Sequence, residues 1–577
     1  MKQWFKYVKP YLPYFIIGPL CMIIEVIGEV LMPKLLSMVI NAGTAETLTV
    51  PNSILYSVLM IVVAVLMMEG GVCGAYFGAK ASVNFAADLR ADVYKKVQSF
   101  SFENIDKFSA GSLVTRLTND VTQLQNFVNM LLRMALRSPG MMIGALIMAI
   151  MLKPKLSTVF AVTVPLMLVA VFSLIFAGFT RFQRMQQRVD NLNNTVQEGV
   201  TNIRVVKSFV RENFENRKFK VANAELKAAG MSAMNIMIFM QPLTTIIMNL
   251  TTLAVIWFGG NIVISGNMKI GDLSAFLTYV NQILFSLMMV TMLLMTSARA
   301  FASARRIKEV LDEEVDITDE TAAEKDKKVT DGKIEFKNVT YRYYKNSDEP
   351  VLDKVSLTIL PGETVGIIGS TGCGKTTLVS MIPRLYDVDE GEVLVDGVNV
   401  KDYSLYNLRE GVSMVLQKNV LFSGTIAENL RWGDEAATEE KITAAAKRAQ
   451  ADKFIVSFTD AYNSDLGQGG SNVSGGQKQR LCIARALLKK PKILILDDST
   501  SAVDTATEAQ IHKAFKEDIP DATKIIIAQR ISSVIDADKI VVVDDGRITG
   551  VGTHDELLAN NVGYQEIYYS QVDKKEA

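Results

Sequence analysis

Six stretches of this chain, at residues 12–40, 53–80, 124–152, 158–180, 234–263 and 274–300, are apolar at nearly every position. Each is long enough to cross a bilayer core, which takes ~20 helical residues. The breaks between them alternate in length. Gly43–Asn52, Lys153–Leu156 and Ser265–Asp272 are short, whereas Ala87–Gln123 and Arg181–Lys227 are long, polar and helical in period. The long breaks carry Arg90, Lys95, Lys96, Lys107 and Arg116, then Arg181, Arg184, Arg188, Arg204 and Lys207. Cationic loops stay on the cytoplasmic side, so both long breaks and both termini are predicted there. Each long break reads as two helices that leave the membrane and reverse at a short cross-piece, near Phe102–Ala110 and near Ser208–Asn216. At ~1.5 Å per helical residue these cross-pieces lie well below the bilayer. Pro33, Pro139, Pro165 and Pro242 are expected to mark kinks or helix ends.

Between Glu309 and Lys333 large apolar residues almost vanish, which predicts a solvated linker. From Ile334 onward short apolar runs alternate with helical stretches, the pattern of an α/β domain. The division expected is a membrane domain over 1–314 with six helices and two cross-pieces, a linker over 315–332, and an α/β domain over 333–577.

Composition agrees with a membrane protein. At 577 residues the chain exceeds one core. It is 49% hydrophobic, with a mean hydropathy of +0.21. The 61 basic and 61 acidic residues cancel, which argues against nucleic acid as a partner held through bulk positive charge. Cys21, Cys73, Cys373 and Cys482 are scattered and suggest neither a disulfide framework nor a metal site. Inside the spans, Glu25 and Glu29 share a helix face four residues apart, and Glu69 lies in the second span. Such carboxylates line a cavity that attracts cations, or sit near the interface, or pair with Asn or Gln of neighbouring helices. Met288, Met289, Met292 and Met295 in the last span form either a soft surface for apolar ligands or ordinary helix packing.

The strongest chemical signal is Gly369-Ser370-Thr371-Gly372-Cys373-Gly374-Lys375-Thr376-Thr377. It follows an apolar strand, Thr364–Ile368, and opens a helix. Glycines let backbone N–H groups close around a polyphosphate, and the helix N-terminus adds partial positive charge. Lys375 can reach the outer phosphates, and the Thr376 hydroxyl can ligand Mg²⁺. This stretch predicts a bound nucleoside triphosphate. Two further apolar runs end on polar side chains: 492–496 on Asp497, placed to hold Mg²⁺ through water, and 524–528 on Gln529. Ser474-Gly475-Gly476-Gln477 at another helix start is a second anion cradle, about a hundred residues from the first. One nucleotide has no use for two complete cradles from one domain, so two domains arranged head to tail are expected to share them.

In this order and spacing the motifs resemble those of the ATP-binding cassette exporters, over the whole chain. The resemblance implies an all-α six-helix transmembrane domain of the type I exporter build (the type IV transporter fold), followed by an α/β P-loop nucleotide-binding domain. It makes Gly369–Thr376 the Walker A loop, Val473–Gln477 the signature and Asp497 the Walker B aspartate. Gln417 becomes the Q-loop ligand of Mg²⁺, Tyr343 the aromatic that stacks on adenine, and Ser501-Ala502-Val503-Asp504 the D-loop. The cross-pieces become coupling helices docked on nucleotide-binding domains.

Three positions depart from that pattern. Asp498 stands where the family places the glutamate that acts as general base, one methylene shorter. Gln529 stands where the family places a switch histidine; it can donate a hydrogen bond to a γ-phosphate but carries no proton to transfer. Gln468 replaces a glutamate ahead of the signature. The signature itself is intact apart from Val473 for leucine. This combination resembles the degenerate-site subunit of heterodimeric bacterial multidrug exporters. Its partner would be a second half-transporter carrying the consensus glutamate and histidine, and its cargo a small amphipathic compound. The homodimeric lipid or peptide exporter and the ATP-gated channel or regulator stand as alternatives.

Overall fold

The computed structural model describes residues 2–46, 49–320, 322–343, 349–499 and 503–572. The chain divides into two compact units. The first comprises residues 1–98 and 111–312, the second residues 99–110 and 313–577.

In the first unit the apolar stretches lie in long helices, one of them, 124–152, divided between two. These helices are α1 (Leu12–Thr44) and α2 (Val50–Gln98), and further along the chain α4 (Val121–Met134) with α5 (Arg137–Leu152), α6 (Val159–Thr201), α8 (Glu212–Ile264) and α9 (Ile270–Asp312). Six helices are long and apolar enough to cross a membrane. At 53 residues α8 is ~80 Å long, more than twice the hydrocarbon thickness, so half of it projects beyond. Pro139 stands in the first turn of α5, just after the break at Ala135–Leu136, where a missing N–H costs no hydrogen bond. Pro33, Pro165 and Pro242 lie within continuous helices. The helices α1 and α2 meet backbone to backbone along Gly70, Gly74 and Gly78: a Cβ on Gly70 would lie 2.8 Å from the Cys21 carbonyl oxygen. The last span is tied to the first by the buried Tyr279 hydroxyl, which donates to the Val30 carbonyl at 2.8 Å.

The second cross-piece, α7 (Ile203–Ser208), comes about five residues earlier than the sequence reading placed it. Glu212 and Glu215 occupy the first turn of α8, where carboxylates offset the helix dipole, so 212–216 is a helix start rather than a turn.

In the second unit a six-stranded sheet forms the core. Its strands are β3 (Thr364–Gly369), β5 (Val412–Val415), β6 (Ile493–Asp497), β7 (Thr523–Ile527), β8 (Lys539–Asp544) and β9 (Arg547–Gly552). The order across the sheet is β9-β8-β3-β7-β6-β5, parallel throughout except for β9 at one edge. Strands β6 and β7 are buried along their whole length, and their centres, Ile493–Leu496 and Ile525–Ile527, are apolar; the buried Lys524 ammonium donates to the Ala522 carbonyl at 2.9 Å. A four-stranded antiparallel sheet includes β1 (Ile334–Tyr341), β2 (Leu352–Ile359) and β4 (Glu390–Val395).

The first cross-piece, α3 (Phe102–Phe108), belongs to this second unit. Ser101 and Asn104 cap its start reciprocally. The Asn104 amide donates to the Glu314 carbonyl at 3.0 Å, and the Tyr386 hydroxyl donates to Asp106 at 3.2 Å. The polar stretch 315–332, read as a solvated linker, is exposed over 323–328 but anchored by Ile317, Ala322 and Val329, which are buried. Its polar residues satisfy backbone groups. Asp319 accepts from the Leu405 amide, and from outside the stretch Asp396, just after β4, accepts from the amides of Thr330, Asp331, Gly332 and Lys333.

Candidate nucleotide site

Strand β3 lies between β7 and β8, and its C-terminal end opens into the glycine loop and α10 (Lys375–Ser380). Two glycines are required by space as well as by backbone angle. A Cβ on Gly369 (φ +156°) would lie 2.0 Å from the Val543 carbonyl, and one on Gly374 (φ +98°) 2.8 Å from that of Val351. Cys373 is buried, with its Sγ 3.6 Å from the Lys375 ammonium. The Lys375 ammonium folds back onto the Gly369 and Ser370 carbonyls at 2.9 and 2.6 Å. A phosphate would compete with these carbonyls for the same cation.

The neighbouring strand ends complete a cavity of about 370 Å³, sufficient for a nucleotide's phosphates. Tyr343, Thr371, Gly372, Gly374, Lys375, Thr376, Thr377, Gln417, Asp497, Asp498 and Gln529 all line it. The Tyr343 hydroxyl is 3.0 Å from that of Thr377, and its ring is 40% exposed, leaving room for a stacked base. Asp497 is buried and accepts from the Thr376 hydroxyl at 2.9 and 3.1 Å. Burial pushes its carboxyl above the usual range; the Thr376 hydrogen bond opposes this, and the neighbouring Asp498 adds to it. A divalent cation would relieve that cost, so the donor set fits Mg²⁺. Among the described residues no three His, Cys, Asp or Glu side chains converge into a metal cage. That too suits Mg²⁺, which is ordinarily held by one or two protein groups plus phosphate oxygens and water. Thr376, Gln417 and Asp497 are the residues that would hold it.

Asp498 sits at the turn after β6 with φ +47°. Its Oδ2 accepts from the Gln529 amide at 2.8 Å and lies 3.5 Å from the Gln417 amide. Burial raises the Asp498 carboxyl and the two amides oppose that rise. The residue in the position of a general base is therefore short and already held by a neighbouring amide. Both histidines of the chain, His512 and His554, lie elsewhere, on the helix of residues 505–518 and against Tyr564.

Ser474, Gly475, Gly476 and Gln477 do not line this cavity. They begin α11 (Gly475–Lys489), with Ser474 and Gln477 in a reciprocal cap and Ser474 and Gly475 exposed. The two cradles of one chain are thus separate, as a shared site requires. Gln468 is exposed in a short 3₁₀ turn. Of the expected D-loop, Ser501 and Ala502 lie outside the described residues; Val503 is buried and Asp504 caps the next helix through the Thr507 amide.

Comparison with known proteins matches residues 15–288 to the ABC transporter transmembrane region and residues 352–501 to the ABC transporter ATP-binding family. An uncharacterized ABC transporter ATP-binding protein of Bacillus subtilis is 37% identical over 576 residues, covering 100% of this chain and 99% of its own. An ATP-dependent lipid A-core flippase of Syntrophus aciditrophicus is 31% identical, over 99% of this chain and 94% of its own. A protein of B. subtilis named as a candidate multidrug export ATP-binding/permease protein is 33% identical, over 99% of both chains. The chain belongs to the ABC transporter family. As an ABC transporter with six apolar helices ahead of one ATP-binding domain it has the exporter fold, and it is an ATP-hydrolysing membrane protein of a kind that works as a dimer.

In the transporter's membrane part the structure places Glu25 and Glu29 with a residue that sequence reasoning missed. The Arg137 guanidinium pairs with Glu25 at 3.0 Å and with Glu29 at 2.7 Å. Pairing with Asn or Gln is one of the alternatives that the sequence allows; Gln282 is present, but it donates to the Glu29 backbone carbonyl rather than to a carboxylate. Arg137 escaped notice because it lies inside an otherwise apolar stretch with no acid near it in sequence. Met292 is exposed and Met288 partly buried against the helix core; the Met295 side chain lies outside the described residues. Removing the arginine strands two carboxylates at membrane depth. Arg137→Met is expected to lower stability by roughly 3 kcal/mol, read as a lower melting temperature in detergent. Restoration by a second change, Glu29→Gln, would confirm the cause; an unchanged melting temperature for the single variant would refute it.

Proposed function

We propose that this chain is one half of a heterodimeric exporter in the bacterial plasma membrane, with both termini in the cytoplasm, moving small amphipathic compounds of the multidrug type. ATP and Mg²⁺ are its cofactors, and its domains divide near residues 314 and 333. Tyr343 stacks on adenine; Gly369–Thr377 and Lys375 hold the phosphates; Thr376, Gln417 and Asp497 hold the metal. Ser474–Gln477 complete the ATP site of the partner, which supplies the glutamate and histidine that Asp498 and Gln529 replace. ATP at Lys375 then acts mainly as a clamp, while hydrolysis at the partner's site resets the membrane helices.

The observation that carries this reading is Asp498: a shortened carboxylate whose Oδ2 is engaged by Gln529. A chain in which both base and switch positions are altered, yet whose signature cradle is intact, fits a division of labour between two subunits. Exposed apolar side chains beside α7 agree with a second subunit. Phe209 and Val210 are 71% and 79% exposed at the turn after it, a costly arrangement unless a partner surface covers them. The substrate cavity is assigned to the faces bearing Glu25, Glu29, Met288 and Met292. Arg137 pairs with both carboxylates, so their pull on cations is reduced.

Co-expression with a second half-transporter from the neighbouring gene, followed by purification through a tag on this chain alone, tests the pairing. A stoichiometric complex that accumulates an amphipathic dye in inverted vesicles only with ATP is expected. A flippase among the relatives favours a second reading, a homodimeric lipid exporter. It predicts instead that this chain purified alone hydrolyses ATP briskly and moves a labelled phospholipid between leaflets.

A further inference from the structure

The last helix, α12 (Val562–Val572), presents Tyr564, Ile567, Tyr568 and Gln571 on one face, at spacings of three and four. Tyr564 is fully buried, and Ile567 and Tyr568 pack against the same core cluster that contains Ile531 and Val534. This seating brings the Gln571 carboxamide onto the loop that follows β7. Its Nε2 donates to the Gln529 carbonyl at 2.8 Å, and its Oε1 accepts from the Ile531 amide at 2.9 Å. The two bonds straddle Arg530, whose backbone is extended at φ −99° and ψ 130°. One side chain thus pairs with the loop as a neighbouring strand would, and only a group with both donor and acceptor can do so. The loop bears Gln529, whose own amide reaches Asp498 in the nucleotide cavity.

We infer that Gln571 is a positioning residue for the γ-phosphate contact: it fixes the backbone on both sides of Arg530, so that the Gln529 amide faces the terminal phosphate of ATP. The inference rests on the reading of Gln529 as the group that senses that phosphate, but not on the heterodimer. It ties the C-terminal helix to nucleotide discrimination, because ADP has no group for Gln529 to meet.

The test is titration of MgATP and MgADP on the full-length chain in lipid nanodiscs. Gln571→Leu removes both bonds and is expected to weaken ATP about tenfold while leaving ADP unchanged; Gln571→Glu keeps the acceptor for Ile531 and is expected to weaken ATP about threefold. Ser570→Ala, whose hydroxyl meets only the Ile567 carbonyl, should behave as the parent. Should the Leu variant fail to fold, the Glu variant decides. ATP affinity unchanged in the Gln571 variants, or ATP and ADP weakened by the same factor, would overturn the inference and leave Gln571 as a brace for the domain. Gln529→Ala separates the premise from the inference: if it too leaves the preference for ATP untouched, Gln529 senses nothing and there is nothing to position.

Discussion

A Gly475→Asp variant, assembled with its partner half-transporter, is expected to lose at least ~100-fold in ATPase kcat, whereas Asp498→Asn is expected to change kcat by less than about twofold. Gly475 is the first residue of α11 and is exposed beside Ser474, so its backbone N–H is free to face a phosphate presented from outside. An aspartate there would put negative charge where the helix N-terminus attracts an anion, and repulsion of ~3 kcal/mol suffices for the loss. Asp498 has the opposite prospects. Its Oδ2 already accepts from Gln529, and under the proposed division of labour an asparagine of the same size removes a charge that hydrolysis does not depend on. Steady-state phosphate release from the purified complex measures both. A large loss from Asp498→Asn together with a mild effect of Gly475→Asp would reverse the assignment of the two sites.

Much of this architecture is legible in the sequence because the membrane and the buried sheet each impose a simple rule. Spans must be apolar for ~20 residues, and the buried central strands are apolar over Ile493–Leu496 and Ile525–Ile527. The glycine loop is legible for a stricter reason: Gly369 and Gly374 have no room for a Cβ. What escapes is whatever depends on pairing between distant residues. Nothing near Arg137 in sequence announces Glu25 and Glu29, more than a hundred residues earlier. Nothing in the C-terminal helix announces that Gln571 meets the loop after β7. The polar run 315–332 conceals its buried anchors because composition measures the chance of solvation, not whether a distant carboxylate meets the run's backbone amides, as Asp396 does with Thr330, Asp331 and Gly332. The α7 cross-piece is the exception: Glu212 and Glu215, acidic residues of a helix first turn, mark its end locally in the sequence.

If the weakness of the site resides in Asp498 and Gln529 alone, then Asp498→Glu combined with Gln529→His should give this chain hydrolytic power. In a complex whose partner base has been removed, the double variant is expected to raise turnover at least ~10-fold over that silenced background, with neither single change sufficient. The added methylene carries the carboxylate roughly 1.5 Å further toward an attacking water. Yet a glutamate alone would still meet the Gln529 amide that engages Asp498. Replacing that amide frees the base and supplies an imidazole able to hold the γ-phosphate or pass a proton. One cost opposes the gain: residue 498 has φ +47°, a region that short Asp and Asn tolerate better than Glu, at about 1 kcal/mol. That cost accounts for at most about a fivefold shortfall, so a tenfold rise remains within reach. Phosphate release under single-turnover conditions, with ATP bound only at Lys375, reads the effect directly. Failure of the double variant to exceed the silenced complex would mean that the defect extends beyond these two side chains, to the geometry of the cavity or to the signature that the partner contributes.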